Sequence, residues 1–270
     1  MRPDAMYILS SLSELVFPSG IYCIACGNLI DETRPYALCD KCVREVNWNA
    51  GRVCSRCGRP LQDIGADIIK SKEGEALCSS CMHDEPVFDI GVSCAVYEGV
   101  VRSIIRNLKY RNMPYAASKV ADAMADRYLA CRSVCPETGE FSLPDIVVSV
   151  PMNRNKKLRR GYDQAELIGR AFAGRIGAYY YPGMLARTFD TAVMSSISGV
   201  ERRANLVGAF ALGFGITDKD CAGKNILLID DVYTTGSTAD ACAGVLKGAG
   251  ASRVDFYAFA AATNFVQPMS

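Results

Sequence analysis

Four Cys-x-x-Cys pairs within the first 81 residues constrain the folding of this chain more than any other feature. They are Cys23/Cys26, Cys39/Cys42, Cys54/Cys57 and Cys78/Cys81, and they repeat in type: "CIACG" precedes "ALCDKC", then "CSRCG" precedes "ALCSSC". In a Cys-x-x-Cys-Gly knuckle two thiolates point at one metal, and the glycine lets the backbone turn its N–H groups toward the sulfurs. Two pairs make a closed tetrahedral site, so two repeats predict two structural zinc ions. The repeat favours sequential sites, Cys23, Cys26, Cys39 and Cys42 in one and Cys54, Cys57, Cys78 and Cys81 in the other. An interleaved arrangement of the same pairs stays open. Redox pairs would open a helix in a βαβ pattern, which is missing here. His83, two residues past the last pair, reads as a surface residue because four thiolates are already at hand.

The other five cysteines (Cys94, Cys131, Cys135, Cys221 and Cys242) sit among apolar neighbours and read as free, buried thiols. Secreted proteins rarely hold cysteines as x-x pairs, and no secretory leader is evident. The stretch "MYILSSLSELVF" reads as a short amphipathic helix, and no apolar run nears the roughly 20 residues of a membrane span. A cytoplasmic, reduced protein is expected.

Charge separates two halves. Residues 1–90 carry 9 Lys/Arg against 13 Asp/Glu, a balance of −4, and residues 91–270 carry 21 against 16, or +5. Eight thiolates with two Zn²⁺ add about −4 to the first half. Arg52, Arg56 and Arg59 are locally basic, but that field disfavours nucleic-acid binding by this half alone. Zinc is expected to hold together a small domain, residues 1–90, that lacks a core of its own.

From about residue 92 the texture changes. "VSCAVYEG", "DIVVSV", "NILLI" and "RVDFYAFAA" read as strands; "VVRSIIRNLKYR", "PYAASKVADAMADRYLA", "AELIGRAFAGRIG" and "TADACAGVLKGAG" read as helices. Alternating strands and helices predict an α/β fold over residues 91–270, with a mostly parallel sheet covered on both faces. Ligands of such sheets sit beyond the carboxyl ends of strands. Two places there carry chemistry: "NILLIDDVYTTGST", and the segment after Pro151, where Arg154, Lys156, Lys157, Arg159 and Arg160 crowd together in a basic loop.

The first place poses a conflict, since Asp230 and Asp231 repel anions while the following Gly-containing loop suits one. Backbone N–H groups at a helix start, with hydroxyls of Thr234, Thr235, Ser237 and Thr238, cradle a phosphate. Carboxylates need donors, and vicinal ribose hydroxyls supply them. A 5′-phosphate, free 2′ and 3′ hydroxyls and a pyrophosphate for the basic loop together describe 5-phosphoribosyl 1-pyrophosphate, PRPP.

The run "ILLIDDVYTTGST" resembles the PRPP signature of type I phosphoribosyltransferases. "VVSVPMNRNKKLRRGYDQAELIG" resembles the pyrophosphate loop and Arg-Gly-Phe-Asn-Gln run of the ComF family, and "ERRANLVGAF" its Glu-Arg-Arg-x-Asn segment. With the double zinc ribbon in front, the likeness covers almost the whole chain. Tyr162-Asp163 stands where that family has Phe-Asn, and Met194 where glutamine is expected in a segment resembling the mobile catalytic loop. The resemblance implies a type I phosphoribosyltransferase-like domain that binds PRPP and Mg²⁺, with a link to DNA uptake. It places the ribose on Asp230 and Asp231 and the 5′-phosphate on Tyr233, Thr234, Thr235, Gly236, Ser237 and Thr238. The pyrophosphate falls on Pro151, Met152 and Asn153, and Arg187 and Arg202 are candidate clamps. A nitrogen acceptor would capture the phosphoribosyl group. A non-catalytic adaptor of the same fold, serving DNA-uptake proteins or single-stranded DNA, is the second reading. The 154–160 run reads as a pyrophosphate contact, a DNA contact or a solvated loop. Trp48, Tyr179, Tyr180 and Tyr181 read as packing residues.

Overall fold

The computed structural model describes residues 21–61, 69–70, 76–134, 143–188 and 208–263. The N-terminal helix, Cys135, Met194, Arg202 and most of "ERRANLVGAF" lie outside them. In chain order the strands are β1 (Ile69–Lys70), β2 (Ala76–Leu77), β3 (Gly91–Val96), β4 (Ile146–Ser149), β5 (Tyr179–Tyr180), β6 (Leu185–Arg187), β7 (Phe210–Leu212), β8 (Asn225–Tyr233) and β9 (Arg253–Ala261). The α-helices are α1 (Asp40–Glu45), α2 (Ser79–His83), α3 (Gly99–Tyr110), α4 (Ala116–Val134), α5 (Arg154–Arg160), α6 (Gln164–Ile176), α7 (Asp218–Cys221) and α8 (Ser237–Gly248).

Five strands form the central sheet in the order β3-β9-β8-β4-β5, with every pairing parallel. Its middle is apolar on both sides because helices cover both sides. Leu227 and Ile229 of β8 join the layer of α3, α4 and α6, with Ile104, Leu108, Phe172 and Tyr257. Ile226 and Leu228 join the opposite layer, with Ala239, Cys242 and Leu246 of α8 and with Phe256. This period of two sets up the site described below.

Two local expectations change. The strand expected over "NILLI" continues through both aspartates to Tyr233, because β9 pairs with it as far as Ala261. The basic stretch after Pro151 is the short helix α5, not a loop. Asn153 caps its start by accepting the Lys156 N–H, and Gly161, at φ 85°, ends it in the left-handed region that favours glycine.

The zinc-ribbon half has no core separate from the sheet. Cys23, Ile24, Leu38 and Cys42 are buried in the α3/α4 layer, where Asn107 of α3 donates to the carbonyls of Ile24 (2.8 Å) and Ala25 (2.9 Å). Cys54, Cys57, Cys78 and Cys81 are buried in the α8 layer with Phe88. The linker between them runs along edge strand β3, where Trp48 bridges to Ala95 and meets Tyr36 edge-on at 5.8 Å. One ribbon thus lies on each side of the sheet. Among the described residues no helix is long and apolar enough to cross a membrane.

Candidate functional site

The adjacent aspartates part company because β8 alternates. Asp231 is buried and pairs with Lys109 of α3 (Nζ–Oδ2 2.8 Å). Burial opposes the Lys109 ammonium, but the charges of Asp231 and Asp230 outweigh it and raise its pKa. Asp230 is half-buried, and its Oδ1 accepts the Asp231 N–H at 2.8 Å. Desolvation, then the charge of Asp231, push its carboxyl well above the usual carboxylate range. On the α8 side the Cys242 thiol is fully buried; desolvation raises its pKa, with Asp230 adding to the rise and Arg187 opposing it. Nothing in the sequence pattern marks Lys109. A lysine ending an amphipathic helix looks solvated until tertiary packing sets it over an acid.

The anion loop follows directly. Tyr233 and Ser237 are buried, Thr235 and Thr238 half-buried, and Thr234 exposed. Gly236 precedes the first turn of α8 at φ 89°, and a Cβ there would stand 2.7 Å from the Tyr233 hydroxyl, so both conformation and space demand glycine. Thr235 Oγ1 and Ser237 Oγ lie 3.1 Å apart. The Thr235 and Ser237 hydroxyls and the amino end of α8 therefore lie together a few residues past Asp230, an arrangement suited to a phosphate.

Across the sheet, the segment after β4 is held by Asp163. This buried residue caps α6 through the Glu166 N–H (3.2 Å) and accepts the Met152 N–H at 2.9 Å. The Met152 amide is thereby engaged within the protein. Tyr162 donates its hydroxyl to the Leu108 carbonyl at 2.5 Å and ties this turn to α3. Pro151, Met152 and Asp163 line a cavity of about 240 Å³ with Tyr180 and Arg187. Arg187 also lies over the Phe210 ring at 5.3 Å. Tyr180 bonds Ser149 at 2.8 Å, Trp48 packs on Tyr36, and Tyr179 is exposed.

The eight paired cysteines form two clusters, Cys23/Cys26/Cys39/Cys42 and Cys54/Cys57/Cys78/Cys81, each with ligand atoms within 4.8 Å of one another. The pairing is sequential. Sulfur separations of 3.8 Å (Cys26–Cys39) and 3.7 Å (Cys57–Cys78) match the roughly 3.8 Å edge of a tetrahedron with Zn–S bonds of about 2.3 Å. The knuckle glycines Gly27 and Gly58 have φ 80° and 63°. Four soft thiolates at that spacing fit zinc, and both sites are zinc sites. His83 is exposed and outside them. Cys94, Cys221 and Cys242 are buried free thiols, as expected.

Residues 12–82 match the double zinc ribbon domain family. Over most of its length the chain is similar to competence protein F of Haemophilus influenzae, 27% identical over 241 residues (89% of this chain, 96% of that one). DNA utilization protein YhgH of Escherichia coli K12 is 27% identical over 221 residues (82% and 93%). Competence protein ComFC of Bacillus subtilis is 23% identical over 227 residues (81% and 82%). Among solved structures, glutamine PRPP amidotransferase of B. subtilis aligns at 16% identity and TM-score 0.32, covering 58% of this chain and 27% of that one. An adenine phosphoribosyltransferase aligns at 18% identity and TM-score 0.33, covering 59% and 76%. Likeness at that level carries no weight of its own; sequence similarity over four-fifths or more of the length does. With a double zinc ribbon set before a parallel α/β sheet, the chain is similar over most of its length to competence proteins F and ComFC and to DNA utilization protein YhgH.

Proposed function

We propose that the chain binds PRPP across the carboxyl ends of β4 and β8 and transfers its phosphoribosyl group to a nitrogen acceptor. The observation that carries this reading is the unit running from the acids of β8 through the Gly236 turn into α8. Its carboxylates accept from ribose hydroxyls, and its amides and hydroxyls donate to the 5′-phosphate. The pyrophosphate end extends toward Pro151, Met152 and Asn153, with Arg187 beside the same cavity and Arg202 a second candidate clamp. Asp230 and Asp231 are hard oxygen donors of the kind magnesium takes, and a bound Mg²⁺ would neutralise the departing pyrophosphate. The protein's own contribution is positioning and charge stabilisation as positive charge grows on the sugar ring. Lys109 pairs with Asp231 and holds its side chain in place at the carboxyl end of β8. A cytoplasmic setting keeps the eight thiols reduced for zinc.

Calorimetric titration with PRPP and Mg²⁺ tests binding. The double variant Asp230→Asn, Asp231→Asn should lose affinity by about 10- to 1,000-fold, since charge-assisted hydrogen bonds are exchanged for neutral ones. Equal affinity in parent and variant would place PRPP elsewhere. Pyrophosphate release with a panel of nitrogen bases tests transfer.

One observation favours a second reading, an adaptor for single-stranded nucleic acid. Lys109, Lys156, Arg159 and Arg160 line a cavity of about 730 Å³ with Tyr110 and Leu158, two of the most exposed large apolar side chains. Cations around an aromatic face suit a single strand. The relatives' names, competence and DNA utilization, agree with that use.

A further inference from the structure

We propose that the second zinc knuckle positions the anion loop, and that Arg59 is the residue through which it does so. The inference rests on the reading of residues 234–238 as a phosphate site, and it gives the zinc ribbon a part in that site beyond holding the fold together.

Arg59 follows the knuckle glycine directly. The turn is fixed by the metal cluster's own backbone bonds: Gly58 N–H donates to the Cys54 carbonyl, and Cys54 N–H to the Arg59 carbonyl, both at 2.9 Å. The turn is also pressed onto the sheet. The Gly91 N–H donates to the Arg56 carbonyl at 2.7 Å, and a Cβ on Gly58 would lie 2.2 Å from the Gly91 carbonyl oxygen. No freedom is left in where the Arg59 side chain begins.

From there it reaches the loop. Arg59 is only 6% exposed, and its Nη2 donates to the carbonyl of Thr234. Its guanidinium lies 5.0 Å over the ring of Tyr233, which is itself wedged against Phe88 and Phe256. A buried cation on a main-chain carbonyl is a demanding contact, formed here across 175 residues of sequence. A trans peptide sets its C=O and the next N–H in opposite directions. Fastening the Thr234 carbonyl toward the ribbon therefore turns the Thr235 N–H away from it. The far flank is fastened as well, because Asp240 in the first turn of α8 accepts the Val87 N–H, at 2.9 Å, from the chain leaving the ribbon.

The test uses zinc-loaded full-length protein and two variants. Arg59→Ala removes the side chain; Arg59→Met keeps an apolar stem over Tyr233 and removes only the donors, so it serves if the first fails to fold. Zinc content is measured first and should stay at the parental value. Amide hydrogen exchange at residues 234–238 should then accelerate by about 10- to 100-fold, as removal of a charge-assisted bond implies, with exchange in the first ribbon unchanged. Arg59→Lys, which retains a cationic donor, should restore part of the protection. Parental exchange in the loop of a folded, zinc-loaded Arg59→Met protein overturns the proposal. PRPP titration runs alongside: weakening by about tenfold or more in Arg59→Met supports it. A parent that binds no PRPP would overturn the phosphate reading while leaving the exchange result to decide the positioning role.

Discussion

Asp230 and Asp231 are neighbours in sequence and strangers in environment. The raised pKa of Asp230, caused first by desolvation and then by Asp231, has a definite consequence for stability. A carboxyl whose pKa rises on folding binds its proton more tightly in the native state. Its contribution to stability therefore falls as pH climbs from the unfolded value of about 3.9 through the raised native value. Asp230→Asn should consequently melt above the parent at pH 8, with the gap closing toward pH 4. A pH series of melting temperatures reads this directly, and a constant gap would contradict it. Lys109 is the opposite case. Lys109→Met strands the Asp231 carboxylate, whose side chain is 4% exposed, and should cost about 3–5 kcal/mol in urea denaturation. Lys109→Met combined with Asp231→Asn should recover most of that stability, since no uncompensated buried charge remains.

At the scale of elements, α5 and β8 show what sequence pattern reveals and what it hides. The start and stop of α5 are encoded in Asn153 and Gly161. The helix between them is hidden because none of its seven residues is buried, so no apolar period marks it. Its exposed cations serve the second reading of function. Lys156→Ala with Arg159→Ala should reduce the log–log salt slope of single-strand binding by about 1.4, at roughly 0.7 for each phosphate no longer neutralised. An unchanged slope assigns the helix to pyrophosphate or to solvent. Strand β8 is legible as an apolar run, but its end is not. Two acids look like an exit from the sheet, and only the partner strand β9, paired to Ala261, keeps them inside it.

The whole molecule is more unified than its two halves of sequence suggest. Cys23 and Cys42 of the first ribbon and all four cysteines of the second are buried in the same layers that cover the sheet, one ribbon to a side. Elemental analysis should find about two zinc equivalents per chain, and near-zero zinc would remove both sites. In a separate small zinc domain, Cys23→Ser would unravel that domain alone. With Cys23 packed in one cluster with Ile104 and Tyr257, it should instead lower the melting temperature of the entire chain in one transition. Two separated transitions by calorimetry would show that the halves fold independently after all.

The four cysteine pairs, the parallel α/β class and the glycine turn at Gly236 were legible in sequence alone, because each rests on local covalent spacing: two residues between thiols, a period of two in a strand, a glycine where φ must be positive. Which pairs share a metal was decided by the fold. Lys109 beneath Asp231, Asp163 behind Met152 and Arg59 on Thr234 were decided only by the tertiary structure. Their partners lie 122, 11 and 175 residues away, separations that local pattern does not encode. They meet because a parallel sheet needs long crossovers that bring distant helices and loops to its carboxyl edge, where buried charge must find a partner.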